Sequence, residues 1–188
     1  IDSAAWLEHK GSVGRSAVGE VHICDEDGNE LSTGETGVVY FSGGDDFAYH
    51  NDPEKTARAH HAEGWTTLGD VGHVDDEGYL YLTDRLAHTI ISGGVNIYPQ
   101  EVENLLVTHP SVLDAAVFGI PHAELGEQVH AVVQLVSGAT ASEAELLGFC
   151  RDHLSHVKCP HSLDFSKELP RQANGKLYKR LLKEPYWR

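Results

Sequence analysis

Two turn sequences most constrain what this chain can build: DEDGN at residues 25–29 and DDEG at 75–78, each set between apolar stretches with the two-residue period of strands. The first lies inside GEVHICDEDGNELSTGETGVVYFSG (19–43) and leads into the run Val38, Val39, Tyr40 and Phe41. The second lies inside GHVDDEGYLYLTDR (72–85) and returns the chain into Tyr79, Leu80, Tyr81 and Leu82. Strands joined by tight turns, in a small β-rich, barrel-like subdomain over residues 1–85, are the expectation. Between the two hairpins NDPEKTARAHH predicts a short helix, because Pro53 has the fixed φ of a first helical turn and Asp52 stands where a cap is needed.

After residue 85 the pattern changes. LAHTIISGGVNIY reads as a hairpin turned by glycines, and PQEVENLLVTH as a helix that starts at Pro99 and stops before Pro110. Glu101 and Glu103 lie near the positive end of its dipole, while Val102, Leu105 and Leu106 form its buried face. VLDAAVFGI and EQVHAVVQLV read as strands, SEAELLGFCRDHL as a helix with Ser142 and Glu145 as a capping box, and SLDFS as a last strand before a basic terminal helix. This order predicts a compact α+β domain over residues 86–188, with a central sheet and helices packed on one side.

Charge divides along the same line. The net charge is −15, yet residues 150–188 carry +5 and residues 1–149 carry −20. So acidic a chain does not track a nucleic-acid backbone, whereas its basic end suits a small, phosphate-rich ligand or a solvated basic helix. Three cysteines, an odd number without finger spacing, fit a reducing compartment. Thirteen histidines include no metal-binding pattern, so no metal site is expected among these residues. No apolar run approaches the roughly 18 residues of a membrane span, and no basic segment precedes an apolar one at the start. The expectation is a cytoplasmic protein without a transmembrane segment, with peripheral membrane contact left open.

Three stretches stand out for chemistry: GWTTLGDVG (64–72), DRLAHTIISGGVNIYPQEVE (84–103) and LPRQANGKLYKR (169–180). Taken singly, Asp70 can cap a turn, Arg85 can pair with Asp84, and Gly93 with Gly94 can form a simple β-turn. In this order and at these separations the three resemble the adenylate-forming, AMP-binding superfamily, which includes acyl-CoA synthetases, luciferases and the adenylation domains of peptide synthetases. The string DRLAHTIISGGVNIYPQEVENLLVTHPSV and the ending PYW look like the fatty-acyl-CoA synthetase branch.

The resemblance implies a two-step reaction, in which a carboxylic acid and ATP give acyl-AMP and pyrophosphate, and CoA then displaces AMP. It implies that Asp70 accepts hydrogen bonds from the ribose hydroxyls and that Arg85 faces the same ribose. Lys176 falls on the catalytic lysine that bridges the carboxylate and the α-phosphate, and Gly93 and Gly94 on the backbone beside the pantetheine arm of CoA. Glu101 reads chiefly as structural, and Lys158, Arg171, Lys179 and Arg180 are candidates for the CoA phosphates by charge alone. The hinge between half-reactions falls on Ala87, where the family usually has Asp or Lys; either hinging is eased or its polar anchor has moved to His88. Leu68 replaces a usual threonine.

No glycine-rich phosphate loop ending in lysine occurs, and FSGGDD is too acidic to serve as one. That loop, the magnesium ligand and the acyl pocket are expected upstream of Ile1. Residues 1–85 then correspond to the end of a large domain and 86–188 to its mobile partner, with the fragment inactive alone. The rival readings are an adenylation domain that loads a carrier protein and a noncatalytic nucleotide-binding module.

Overall fold

The computed structural model describes residues 1–187, which divide into two compact units, one of Ile1–Ala87 and one that begins at His88. Each mixes helices with mainly antiparallel sheet, so the α+β class holds.

In the first unit β1 (Val21–Cys24), β2 (Gly37–Phe41), β3 (Asp70–Val74) and β4 (Leu80–Arg85) pair antiparallel in that order, with β1 and β4 as the edges of one sheet. Ile23, Val39 and Leu80 form its buried centre. The DDEG turn joins β3 to β4 as expected, because the Asp75 carboxylate accepts from the N–H groups of Glu77 at 3.0 Å and Tyr79 at 2.9 Å. DEDGN departs from expectation. Asp25 does accept from Asp27 and Asn29, but the chain it turns back meets Cys24 only through a bridge at Glu30. A second turn, in which Ser32 N–H donates to the Glu35 carboxylate and Glu35 N–H to the Ser32 carbonyl, precedes β2.

Two helices complete this unit. The opening helix α1 (Ser3–Glu8) was not expected in a β-rich reading; Asp2 caps it by accepting from Ala5 N–H at 2.9 Å, and Ala4, Ala5, Leu7 and Glu8 are good helix formers. The second, α2 (Pro53–Arg58), starts with Pro53 and is capped by Asp52 as predicted. Just past it, His60 presents Nδ1 to the Thr56 carbonyl at 2.7 Å and Nε2 to the Asp46 carboxylate at 2.6 Å, so both nitrogens donate. The Thr56 carbonyl first, and then Asp46, raise the His60 pKa above its ordinary 6.5; the His60 hydrogen bond lowers Asp46 below 3.8. A raised histidine stabilises below 6.5 and loses that contribution as pH rises through its folded value, whereas a lowered aspartate stabilises above 3.8 and loses it on acidification. The pair is therefore strongest between those limits. Asp46→Asn is expected to lower the thermal midpoint more at pH 5 than at pH 9; an equal loss at both would contradict the charged pair.

In the second unit β5 (Ile90–Ser92) and β6 (Val95–Ile97) form the predicted hairpin, α3 (Pro99–Leu106) follows, and β7 (Val112–His122) and β8 (Gly126–Leu135) pair along almost their whole length. The helix α4 (Glu143–His153) carries the complete capping box, β9 (Ser162–Phe165) pairs parallel to β8, and α5 (Lys179–Lys183) follows the hairpin that holds Lys176. The strand order is β6-β5-β8-β7, with β9 also on β8.

Helices do not lie on one side only. Ala115, Val117, Val129, Ala131 and Val133 pack with Val102 and Leu106 of α3 and Leu146 and Cys150 of α4. Their alternating neighbours Ala116, Phe118, Ile120 and Val132 pack with Leu169, Leu177, Leu182 and Tyr186 of the C-terminal segment. Both faces of β7 and β8 are thus covered, which is why these strands read as continuous apolar runs. His130, buried on the second face, is held to Ser162 Oγ at 2.8 Å, and loss of water drives its pKa below 6.5.

Candidate nucleotide-facing site and the Lys176 hairpin

Asp70 opens β3 and Arg85 ends β4, and the two are direct cross-strand partners. Arg85 Nε lies 2.7 Å from Asp70 Oδ1, and its Nη1 donates to the Leu68 carbonyl at 3.1 Å. The side chain of Asp70 is 22% exposed and that of Arg85 54%, so the pair adds at most about 1 kcal/mol to stability. Its effect is to orient: the guanidinium is held by both the Asp70 carboxylate and the Leu68 carbonyl, and the carboxylate keeps lone pairs to accept further O–H donors. The Arg85 side chain thus pairs with Asp70, a partner that motif order does not indicate, while its backbone N–H donates to the Asp84 carboxylate.

The turn before Asp70 is built for this placement. Gly69 has φ +79°, its N–H donates to Thr67 Oγ1, and its carbonyl accepts from Leu86 N–H. Leu68 contributes its carbonyl to Arg85 and leaves its side chain exposed, so the departure from threonine does not touch the Arg85 contact. Beside the turn, still within the first unit, lies a cleft of about 620 Å³ with Tyr49, Lys55, Arg58, Leu68 and Arg85 on its walls. Lys55 Nζ sits 3.9 Å from the Tyr49 ring centre. Lys55 and Arg58 belong to no motif; their three-residue spacing on one helix is the sequence signal that sets them side by side. Ala87 is exposed at the end of this unit, in the short 3₁₀ turn Leu86–His88.

The remaining residues lie in the second unit. Gly93 and Gly94 form the two-residue turn between β5 and β6, with φ +57° and +81°, the type I′ geometry that favours glycine at both places. A Cβ at Gly94 would meet no protein atom within 4 Å, so backbone angle rather than crowding requires glycine there. Lys176 is exposed and follows Gly175, whose φ of +82° closes a small hairpin bridged at Arg171 and Leu177. Gln172 N–H donates to the Lys176 carbonyl, and Gly175 N–H to the Gln172 carbonyl, both at 2.8 Å. Among the described residues the Lys176 ammonium has no carboxylate partner.

Three of the other cations are already engaged. Lys158 holds Glu101 at 2.7 Å, Arg171 pairs with Asp114, and Lys179 holds Glu103 at 2.7 Å. Glu101 is thus held from the turn before β9, and Arg180 donates to the Tyr178 hydroxyl. Cys24, Cys150 and Cys159 are free and buried, and burial pushes the Cys150 thiol up to about 11, far from a nucleophile's range. Among the described residues no three His, Cys, Asp or Glu side chains gather to hold a metal ion.

The model of the AMP-binding enzyme C-terminal domain family matches residues 101–176, ending on Lys176. A 3-[(3aS,4S,7aS)-7a-methyl-1,5-dioxo-octahydro-1H-inden-4-yl]propanoyl:CoA ligase of Rhodococcus jostii is 41% identical over 158 residues, 84% of this chain and 31% of that protein. A long-chain-fatty-acid–CoA ligase of Mycobacterium tuberculosis is 38% identical over 181 residues, 96% of this chain and 36% of that protein. Among solved structures, ATP-bound MatB from Rhodopseudomonas palustris superposes with a TM-score of 0.84 at 37% identity, over 94% of this chain and 36% of its own. The chain thus spans about a third of the length of the relatives it matches.

Proposed function

The chain belongs to the adenylate-forming, AMP-binding enzymes, and from that premise we propose that it serves an ATP-dependent acid–thiol ligase. In the first step a carboxylate oxygen attacks the α-phosphorus of ATP, the bond to the β-phosphate oxygen breaks, and pyrophosphate leaves with the electron pair. In the second, the CoA sulfur attacks the acyl carbon and AMP departs. One observation carries the assignment: the family match ends on a lysine that stands exposed, on a hydrogen-bonded glycine turn, with no carboxylate partner among the described residues.

The roles follow from chemistry. Asp70 takes the ribose hydroxyls, since a carboxylate accepts several O–H donors at once, and Arg85 holds it in place beside the sugar. Lys176 sets its ammonium between the substrate carboxylate and the α-phosphate, where negative charge rearranges as the new bond forms. The Gly93–Gly94 turn gives the pantetheine arm a surface without side chains, and Ala87 is the hinge. A fatty acid is the acid we favour, on the likeness to the mycobacterial ligase and to a long-chain-fatty-acid–CoA ligase of Bacillus subtilis. The test is pyrophosphate release by the protein at its full natural length, across a panel of carboxylic acids with ATP. Release with long-chain acids and thioester formation with CoA are expected. Release with no acid would defeat the ligase reading, and release confined to other acids would defeat the fatty-acid one.

A further inference from the structure

Lys179 opens α5, three residues beyond Lys176, and its ammonium lies 2.7 Å from Glu103 Oε1. Both side chains are withdrawn from water, at 14% and 7% exposure. The same Glu103 oxygen accepts the N–H of Val117 at 2.6 Å. Val117 belongs to β7, which among the described residues pairs with no strand but β8 and so presents an open strand edge. One carboxylate therefore ties three elements together: α3, the free edge of β7, and the start of α5.

Buried ion pairs add little net stability compared with apolar side chains of the same volume, but they do fix which groups meet. Here the fixed point is the exit of the Lys176 hairpin. Its entry is fixed separately, by Arg171, which pairs with Asp114 on the same strand and donates to the Gly175 carbonyl at 2.7 Å. Tyr178 N–H closes the base onto the Pro170 carbonyl at 2.7 Å. The hairpin is thus anchored to β7 at both ends, and Lys176 projects between the anchors.

We propose that Glu103 and Lys179 are positioning residues for Lys176 in acyl-adenylate formation; this rests on the role given to Lys176 under Proposed function. Because a displacement on the order of 1 Å can cost about a hundredfold in rate, the tie matters to the step that uses Lys176 and not to the one that does not.

Three variants separate the outcomes: Lys179→Met removes the charge, Glu103→Gln keeps an acceptor for Val117 N–H but loses the ion pair, and Lys179→Arg restores a cation. In the 188-residue chain, hydrogen exchange at the Gln172, Gly175 and Tyr178 amides should quicken about tenfold or more in the first two variants, stay near wild type in the third, and leave the β8 amides unchanged. In the protein at its full natural length, kcat for acyl-AMP formation should fall about tenfold or more in Lys179→Met and Glu103→Gln, with KM for ATP within about twofold, recovery in Lys179→Arg, and transfer from supplied acyl-AMP little changed. Unchanged hairpin exchange overturns the proposal, whatever the activity. Loosened hairpins with unchanged kcat, or equal loss of both half-reactions, overturn the positioning role. If Lys179→Met also quickens exchange in β8, Glu103→Gln and Lys179→Arg decide by the same criteria. A wild-type protein that releases no pyrophosphate with any acid defeats the parent reading instead, and shows itself before any variant is compared.

Discussion

Replacing Lys176 with alanine in the protein at its full natural length will slow acyl-adenylate formation roughly a hundredfold to a thousandfold, equivalent to about 3–4 kcal/mol of transition-state stabilisation. Transfer of the acyl group from supplied acyl-AMP to CoA will change little, because the charge that Lys176 compensates develops only while the α-phosphate is attacked. The fold will not account for the loss. Lys176 is exposed and has no carboxylate partner among the described residues, so truncating it should alter stability by no more than about 0.5 kcal/mol. Arginine is a poor replacement, since its planar fork cannot occupy the place of a compact ammonium between two oxyanions. Pyrophosphate release and thioester formation, followed separately, decide the matter; parallel loss of both would remove Lys176 from the chemistry.

The second large effect is structural. Phe118→Ala is expected to destabilise the second unit by about 3–5 kcal/mol, a large part of the roughly 5–15 kcal/mol that holds a domain of this size. Phe118 is 4% exposed and packs with Ala116, Ile120, Val132 and Leu169, while its ring lies 5.4 Å from that of His130 and 5.9 Å from that of Tyr186. Removing it opens a hole under the segment that follows Lys176, so contacts are lost on both sides of the void. A urea titration should show a lower midpoint with an unchanged slope. Leu113→Ala, also on β7 but 56% exposed, should leave the midpoint nearly where it was; similar shifts in the two variants would deny the second face its role as core.

Local rules made much of the fold legible. Asp52 before Pro53, Ser142 before Glu145, Asp75 before two accessible amides, and paired glycines between short strands each specify a turn or helix end through contacts within a few residues. Less legible was whatever depends on distant partners. Nothing near DEDGN says that β1 must wait until residue 37 for its mate, and an apolar run such as DAAVFGI (114–120) does not say what covers each face. The covering segment, with Leu177, Leu182 and Tyr186, reads only as a basic terminal helix, because its apolar residues are few and its charges many. The candidate site shows the same division. Asp70, Arg85 and Lys176 were found through motif order, and the direct Asp70–Arg85 pairing came only with strand register. Glu103 was read as a helix-dipole residue, although its place beside Val102 and one turn before Leu106 and Val107 already set a carboxylate next to an apolar face; its partner, 76 positions away, could not be read locally.

The uncovered side of β7 has a consequence for how this chain behaves among copies of itself. An eleven-residue, largely apolar strand with a free edge is a template for intermolecular strand addition. Glu103 occupies the Val117 amide from α3, and Trp187 Nε1 donates to the Gly119 carbonyl, so two backbone positions where a foreign strand would dock are filled by side chains from elsewhere in the same chain. The Glu103 carboxylate that holds Lys179 therefore also blunts this edge, and Glu103→Ala would free the Val117 amide for a foreign strand as well as release the start of α5.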